Sequence, residues 1–373
     1  MTNLLWLTQN YYPQKGGMAQ SCDRIVNGLR RHGINIDVVH FSSRFSSIVA
    51  NKKLFGHDIS CPIDDDIAHS LNKLWCFLPN IGLRNYDCII AFGGYIPMFT
   101  APVFSAWLQV KLYTFIRGND FDHAILDPKR QYLLDKAFKS SHSVLVVSQD
   151  KKIKINTIWP EVNIQWVPNG IDIDLWCKTN TDIYLADAFR KEYLNFNNKR
   201  HVVGLFGHIK QKKGMDYFIQ SVLKSTSYKN LHLLIVGDID EQIKIFLDSH
   251  QDKITYTHVS FIERYQLIPY YLACDFIAIP SYYEGMPNVM LESLALGIPI
   301  LASTVGGMDD FLINSIHGYL FSPGDINTCS DALTAAMNVS SSDYLKMKQA
   351  CMKLVSDSLT SDKEIEKYLS IFL

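Results

Sequence analysis

The chain has 373 residues, of which 47% are hydrophobic and 20% charged, and its formal net charge at pH 7 is -1. A chain of this length is too long to fold around a single hydrophobic core, so we expect two domains of about 150–200 residues each. The composition is that of a globular protein, which excludes a disordered or collagen-like chain, and we expect no nucleic-acid partner.

Charge and cysteine content add two constraints. Up to Pro168 there are 18 Lys and Arg against 13 Asp and Glu, whereas the remainder has 18 against 24. A basic first half favours an anionic acceptor or an acidic lipid surface, although a solvated surface explains a shift of this size equally well.

The eight cysteines are scattered without a Cys-x-x-Cys pair, and the N-terminus lacks a signal-peptide pattern. We therefore predict a cytoplasmic protein with reduced thiols and no metal site.

The first half predicts alternating strands and helices. Leu4 to Leu7 reads as a strand, a helix follows from Met18 to Arg31, and residues 34–41 form the next strand. The loop between the first strand and the helix contains Pro13-x-x-Gly16-Gly17, which is not the Gly-x-Gly-x-x-Gly dinucleotide pattern, so a simple tight turn is the alternative to a binding loop. Residues 42–80 are weakly patterned, and Asp64-Asp65-Asp66 within them is predicted to be a solvated loop. Three more strands are predicted at Cys88–Phe92, Lys111–Ile116 and Ser143–Val147.

The stretch from Cys88 to Val110 carries no charge, as a membrane span would. Gly93-Gly94, Pro97 and Pro102 are predicted to break it into a strand, a loop and a helix, so we do not predict a span. Contact with a membrane interface stays open, and with it a peripheral position at the inner face of the membrane. The side chains that would make this contact are Tyr95, Ile96, Met98 and Phe99.

The second half predicts another set of strands. A polar connector with a helix is expected over 173–200, and a final helix over 356–372. Between Gly207 and Gly214, three lysines follow a predicted strand, which indicates a phosphate-binding loop or a plain exposed basic turn. The predicted strands are His201–Phe206, Leu231–Val236, Ile254–Val259, Phe276–Ile279 and Ile300–Ala302.

The segment from Phe276 to Gly307 forms a predicted strand–helix–strand unit. Pro287 stands at a plausible first helical position, and the start of this helix directs free N–H groups beyond the strand ends, where a phosphate would sit. Glu284 precedes the helix and Glu292 lies on its second turn, so two carboxylates flank that place. They could accept hydrogen bonds from hydroxyls at either end of a nucleotide-sugar. The alternative is a loop charge and an exposed helical glutamate.

The segment Glu284-Gly-Met-Pro-Asn-Val-Met-Leu-Glu292 closely resembles the Glu-x7-Glu signature of family 4 retaining glycosyltransferases. The resemblance implies the GT-B fold, an α/β architecture of two Rossmann-like, doubly wound parallel-sheet domains facing a central cleft. It also implies that Glu284 holds the donor sugar and that Glu292 holds the ribose. Val167-Pro168-Asn169-Gly170-Ile171-Asp172 resembles the family's domain junction. The implied domains are 1–168 (acceptor), joined by the returning helix 356–373, and 169–355 (donor).

Two positions depart from the family pattern. Arg117 stands where the family usually has the histidine of His-Gly-x-Asp, so it can at most pair with a phosphate or an acceptor anion. A salt bridge to Asp120 or Asp122 is the alternative. His208 replaces the arginine of Gly-Arg-Leu-x-x-x-Lys-Gly, while Lys213 matches that motif's lysine. The implied catalytic residues are Glu284, Lys213, His208 and Arg117, and the implied donor-binding residues are Gly16, Gly17, Gly207, Lys213, Glu284, Gly285, Met286, Asn288, Val289 and Glu292.

The resemblance implies a metal-independent retaining glycosyltransferase of glycan, glycolipid or glycosylated-metabolite biosynthesis. Its donor would be a nucleotide-diphosphate-sugar, and its acceptor a glycan, a lipid-linked molecule or a small molecule, with no cofactor. A catalytically impaired nucleotide-sugar-binding subunit and a nucleotide-sugar 2-epimerase of the same fold are the alternatives. Donor base, sugar and acceptor are not specified by the sequence.

Overall fold

The structure, a computed structural model, describes residues 2–83, 85–193, 201–226 and 228–373. The chain divides into two compact units. The first comprises Met1–Asn169 and Ser361–Leu373, and the second comprises Gly170–Thr360. The sequence placed the first boundary one residue earlier and the returning segment five residues earlier. Part of the predicted polar connector, 194–200, lies outside the described residues.

The two units are built from strands that alternate with helices along the chain. The strands are β1 (Asn3–Thr8), β2 (Asn35–Ser42), β3 (Val49–Lys53), β4 (Gly56–Pro62), β5 (Cys88–Phe92), β6 (Lys111–Ile116), β7 (Ser143–Val146), β8 (Ile164–Trp166), β9 (His201–Phe206), β10 (Leu231–Val236), β11 (Thr255–Val259), β12 (Phe276–Ile279), β13 (Ile300–Ser303) and β14 (Gly318–Phe321). The helices are α1 (Gly17–Arg31), α2 (Ile67–Asn80), α3 (Tyr95–Leu108), α4 (Asn119–Asp122), α5 (Pro128–Ser140), α6 (Gln149–Ile158), α7 (Asn180–Tyr193), α8 (Met215–Lys224), α9 (Glu241–Asp248), α10 (Ile268–Leu272), α11 (Asn288–Ala295), α12 (Gly307–Phe311), α13 (Ile326–Met337), α14 (Ser341–Ser358) and α15 (Ser361–Phe372).

The sheet of the first unit has the order β3-β4-β2-β1-β5-β6-β7-β8. Its strands pair in parallel except for the edge hairpin of β3 and β4. Along β1, Leu4 and Trp6 belong to one apolar cluster, whereas Leu5 and Leu7 belong to another. Because successive side chains of a strand point to opposite faces, the sheet is covered on both faces, as parallel sheets require.

The last helix, α15, packs against α1 in the first unit. Ile365 fills the space beside Gly28, where a Cβ would lie 2.5 Å from the isoleucine side chain. Arg24 and Glu364 form a buried ion pair at 2.9 Å across the same interface. The predicted final helix began near Ser356, which was wrong because residues up to Ser358 finish α14 and α15 starts separately at Ser361.

The weakly patterned stretch 42–80 contains β3, β4 and α2, and Asp64-Asp65-Asp66 lies in the exposed loop between β4 and α2, as predicted. Asp66 accepts a hydrogen bond from the backbone N–H of His69 at 3.0 Å, which caps α2.

The uncharged stretch 88–110 forms β5 and α3. Pro97 and Pro102 lie inside α3, so Gly93-Gly94 alone separates this helix from β5. Among the helices of the described residues, none combines enough length with enough hydrophobicity to cross a membrane.

The sheet of the second unit has the order β11-β10-β9-β12-β13-β14, and all its strand pairs are parallel. Numbered within the unit, this order is 3-2-1-4-5-6, the doubly wound arrangement of nucleotide-binding folds. The order reverses between β9 and β12, and ligands of such sheets bind outside the carboxyl ends of the strands at that switch point. In the first unit the corresponding reversal lies between β1 and β5.

Candidate active site

Two loops meet at the switch point of the second sheet, one after β9 and one after β12. They are joined through the backbone, because the N–H of Tyr282 donates to the carbonyl of Lys212 at 2.9 Å. They are also joined through side chains, since Lys213 Nζ lies 2.5 Å from Glu284 Oε1. The hydroxyl of Ser281 donates to the same oxygen at 3.0 Å. The predicted Lys213 and Glu284 are therefore brought together at the sheet edge where a ligand is expected.

Glu284 keeps its charge although it is only 9% exposed. Burial alone raises the pKa of its carboxyl group, but the ammonium groups of Lys213 and Lys212 and the hydrogen bonds from Lys213 and Ser281 outweigh burial and hold that pKa below its ordinary value. Lys212 Nζ lies 3.9 Å from Oε1 and adds a second positive charge. An ionised carboxylate only accepts hydrogen bonds, so Glu284 is suited to hold hydroxyl groups.

Two glycines fix the backbone around this carboxylate. Gly306, after β13, has φ +54, and a Cβ there would lie 2.3 Å from the carbonyl oxygen of Gly285 and 2.4 Å from that of Glu284. The next N–H, of Gly307, donates to the Gly285 carbonyl at 2.6 Å. Gly214, with φ +67, approaches the Pro280 carbonyl so closely that a Cβ would lie 2.0 Å from it. No other residue type fits at these positions without displacing the loop that carries Glu284.

The helix after the Glu284 loop, α11, starts at Asn288. Pro287 is the N-cap with ψ 135, so it precedes the helix instead of taking the predicted first helical position, because the chain is still extended at this residue. Met286 is buried, and the N–H of Met290 already donates to Pro287 O at 3.1 Å. Gly285, Asn288 and Val289 thus lie at a helix N-terminus, where the helix dipole favours an anion.

Glu292 is buried, so the alternative of an exposed helical glutamate was wrong. Tyr271 donates its hydroxyl to Glu292 Oε2 at 2.7 Å, and Arg264 Nε lies 3.6 Å from Oε1. Phe206 stacks on the Tyr271 ring with 3.9 Å between centroids. Burial, followed by the adjacent Glu292 charge, raises the pKa of the Tyr271 hydroxyl well above its ordinary value, so it remains a proton donor.

His208 is paired with an acidic residue of the neighbouring loop. Its Nε2 lies 2.7 Å from Asp240 Oδ1, and both side chains are nearly half exposed. The backbones of the two loops are joined as well, since the N–H of Ile209 donates to Asp238 O at 2.8 Å. Gly207 has φ +95 with no atom within 4 Å of a Cβ placed there, so the left-handed backbone conformation is what favours glycine.

Asp238-Ile239-Asp240 follows β10 after a single glycine, and carboxylates are the protein ligands that Mg²⁺ uses. Asp240 is engaged by His208. Within the described residues, no three His, Cys, Asp or Glu side chains converge in an arrangement that could hold a metal ion.

The remaining predicted residues lie in the first unit. Gly16 is the N-cap of α1 with φ +115, and Gly17 is the first residue of that helix, after the β1 strand of the switch point. Arg117 is buried, and its guanidinium binds the Tyr368 hydroxyl at 3.0 Å and the Asn169 side chain. Asp120 accepts the backbone N–H of Arg117 at 2.9 Å instead of pairing with its guanidinium. Arg117 thus connects the loop after β6 to α15 and to the end of the first unit.

Two family models match this chain. Residues 15–175 match the model described as Glycosyltransferase Family 4, and residues 200–338 match the model described as Glycosyl transferases group 1. Together they account for 300 of the 373 residues. The chain belongs to glycosyltransferase family 4.

Individual proteins agree with this family assignment. The chain is 26% identical over 260 residues to the capsular polysaccharide biosynthesis glycosyltransferase CapM of Staphylococcus aureus, covering 64% of each sequence. For the first four curated relatives, the matched segments span 46–68% of the relatives' own lengths.

Solved structures show the fold. Sucrose-phosphate synthase from Thermosynechococcus elongatus superimposes with a TM-score of 0.82 at 17% identity, covering 100% of this chain and 98% of that one. HepE from Anabaena, solved in complex with UDP-glucose, superimposes with a TM-score of 0.75 at 17% identity and covers 100% of both chains. This family 4 chain therefore has the GT-B fold, as predicted.

Several side chains that support the predicted residues of this family 4 glycosyltransferase were not singled out from the sequence. Tyr271 lies 21 positions before the Glu292 that it holds, and Asp240 lies 32 positions after His208. Tyr368 is 251 positions from Arg117. Pairings across such distances leave no periodic pattern in the sequence. Ser281 was not singled out either, although its position three residues before Glu284 is local enough to indicate a hydrogen bond.

Proposed function

We propose that the protein is a metal-independent retaining glycosyltransferase that moves a sugar from a nucleotide-diphosphate-sugar to a hydroxyl group. The observation that carries this proposal is the Lys213–Glu284 pair at the switch point of the second sheet. A cation for phosphates and a carboxylate for sugar hydroxyls stand side by side there, and few ligands other than a sugar phosphate need both. The capsular polysaccharide enzyme among the relatives supports a role in polysaccharide or glycolipid biosynthesis.

In the proposed reaction, the bond between the anomeric carbon and the phosphate oxygen of the donor breaks. The acceptor oxygen forms its bond to the same carbon on the same face, and the acceptor proton passes to the departing phosphate. The products are the glycoside and the nucleoside diphosphate. Negative charge develops on the leaving diphosphate, so fixed positive groups aimed at it lower the barrier.

Lys213 is our candidate for that positive group. An ammonium has three N–H donors, and the contact with Glu284 uses one of them, so the others remain for phosphate oxygens. The N-terminus of α11, which begins four residues after Glu284, adds partial positive charge. His208 stands where the family arginine does, but its Nε2 is already paired with Asp240, which leaves Lys213 as the main cation in this proposal.

The two glutamates would divide the donor between them. We assign Glu284 to hydroxyls of the transferred sugar, because it is ionised and lies beside Lys213. We assign Glu292 to the ribose, because this buried carboxylate lies on the second turn of α11, with Oε2 held by Tyr271 and Oε1 beside Arg264. This division explains why one carboxylate precedes α11 and the other lies on its second turn.

A donor-turnover assay on the full chain tests the proposal. Purified protein is incubated with a panel of UDP-, GDP- and ADP-sugars, and free nucleotide is measured with and without candidate acceptors. Slow nucleotide release without acceptor, faster release with one, and a product of unchanged anomeric configuration by NMR are the expected results. An inverted product contradicts the retaining mechanism. Epimerised donor would establish the 2-epimerase, and donor binding without turnover would establish a non-catalytic subunit.

A further inference from the structure

A cavity of about 280 Å³ lies at the opposite end of the first sheet from the loops that follow β1 and β5. The helix α1 ends there at Arg31, and the β3–β4 hairpin turns there, because β4 runs parallel to β2 and begins beside Ile36. We call this feature the hairpin pocket. Its lining consists of Asn27, Arg30, Arg31, Lys53, Leu54 and Phe55.

The hairpin pocket carries a surplus of positive charge. Arg30 is buried, and its Nη2 donates to the carbonyls of Ile36 at 2.7 Å and His57 at 3.1 Å. Asp58 lies 2.9 Å from the same guanidinium nitrogen and 3.3 Å from Lys53 Nζ. Asp58 is therefore shared by Arg30 and Lys53, and Arg31 adds a third cation to the lining, so the lining side chains together with Asp58 carry a net charge of +2. Arg31 is exposed at the rim, where an anion from solution or from a surface can reach it.

The tip of the hairpin is apolar and exposed. Leu54 is 90% exposed, more than any other large hydrophobic side chain of the described residues. Lysines on an edge strand prevent pairing with other chains, which accounts for Lys52 and Lys53 on β3. That function explains neither an apolar side chain at the tip nor a cavity lined by arginines. An apolar side chain beside clustered cations matches the chemistry of an anionic lipid surface, where the apolar group enters the interface and the cations meet phosphates.

We propose that the hairpin pocket docks the first unit on an anionic phospholipid membrane, with a headgroup phosphate in the pocket and Leu54 in the interface. Because α1 has 15 residues, its two ends lie about 22 Å apart, so docking leaves the loops after β1 and β5 uncovered. The surface is distinct from the α3 side chains singled out in the sequence, since Tyr95 and Phe99 lie on the first two turns of α3, after the carboxyl end of β5.

Vesicle co-sedimentation of the full chain tests this proposal. Binding is compared on vesicles of phosphatidylcholine alone and of phosphatidylcholine with 30% phosphatidylglycerol. We expect binding only to the anionic vesicles, weakening as salt is raised. Each Lys or Arg near such a surface contributes about fivefold in affinity, so Arg31→Glu/Lys53→Glu should lose at least about 25-fold. Leu54→Ser should lose about tenfold because it removes the apolar group from the interface.

Matched controls lie on the second unit. Lys244→Glu/Lys253→Glu makes the same charge change at exposed positions, and Ile245→Ser removes an exposed apolar side chain in the same way. These variants should bind vesicles like the wild type. Equal binding to neutral and anionic vesicles would overturn the proposal, as would losses of vesicle binding of the same size in the pocket variants and the control variants. Saturable binding of inorganic phosphate without any binding to vesicles would also overturn it. Nucleotide release from donor should be unchanged in all variants, so this test is independent of the proposed catalytic activity.

Discussion

Replacing Lys213 by methionine separates the two roles that we assign to this residue. Methionine keeps much of the apolar stem but removes the ammonium, so the buried Glu284 carboxylate loses its 2.5 Å partner. What remains is the Ser281 hydroxyl at 3.0 Å and the Lys212 ammonium at 3.9 Å. We expect a loss of stability, which a second substitution at Glu284 should partly restore, and a loss of catalysis, which that substitution should not restore.

The size of the stability loss follows from burial. Removing one partner of a fully buried ion pair costs about 3–5 kcal/mol. The Lys213 side chain is 20% exposed and Lys212 stands nearby, so solvent and the second cation reduce this cost to about 2 kcal/mol. A unit spanning Gly170–Thr360 loses about 2–4 °C of Tm per kcal/mol, so the expected shift is about 4–8 °C.

A double-mutant cycle with Glu284→Gln provides the decisive comparison. Lys213→Met/Glu284→Gln no longer buries an uncompensated charge, so its free energy of unfolding should recover at least half of the loss, with a coupling energy of about 1–2 kcal/mol. Activity should not recover: the single and double variants should both lose about 10²–10³-fold in kcat, the usual effect of removing one group that stabilises transition-state charge. Chemical denaturation and donor turnover measure the two quantities. Additive stability effects, or a Lys213→Met enzyme with wild-type kcat, would refute the reasoning.

Other predictions address the same unit. Wild type should be more stable than Glu284→Gln by a constant amount above pH 4.5, the ordinary pKa of glutamate. This advantage should disappear as the pH falls through the lowered pKa of Glu284, because the carboxyl group takes up its proton at a higher pH in the unfolded chain than in the folded one. Denaturation curves between pH 3 and 8 measure this difference. Glu284→Ala should lower kcat, whereas Glu292→Ala and Tyr271→Phe should mainly raise the donor KM, and equal kcat losses would refute this division. Gly306→Ala should lower both Tm and activity, because its Cβ would lie 2.3 Å from a backbone oxygen; an unchanged Tm would show that the loop relaxes. Chelation with EDTA should leave turnover intact, and a strict metal requirement would direct attention to Asp238 and Asp240.

The strands of the second sheet illustrate what the sequence predicts well. His201–Phe206, Leu231–Val236 and Phe276–Ile279 were predicted with their observed bounds, because central parallel strands are buried on both faces and read as continuous apolar runs. Edge strands lack this signal. The strand β3 is Val-Ala-Asn-Lys-Lys and mostly exposed, and β8 has only three residues, so neither was predicted.

The candidate site was predictable where its residues are close in sequence. The loop around Glu284 and the start of α11 follow from the turn residues and the family signature. The partners of the functional side chains did not follow, because Tyr271 and Asp240 are brought to Glu292 and His208 by sheet topology. Arg117 shows the limit most clearly: its guanidinium binds Tyr368 on the last helix, a contact that depends on the chain returning to the first unit.

Nucleotide-dependent thermal stabilisation tests the central claim most directly, because a ligand that binds only the folded state raises Tm, and raises it further at a given concentration when it binds more tightly. Wild type, Lys213→Met and the distant control Lys244→Glu are heated with UDP, GDP and ADP, each well above the Kd expected for a donor product. At least one nucleoside diphosphate should raise the Tm of wild type and control alike and should raise that of Lys213→Met far less. A stabilisation of equal size in Lys213→Met, or none with any nucleotide in the wild type, would contradict a diphosphate site at the Lys213–Glu284 pair.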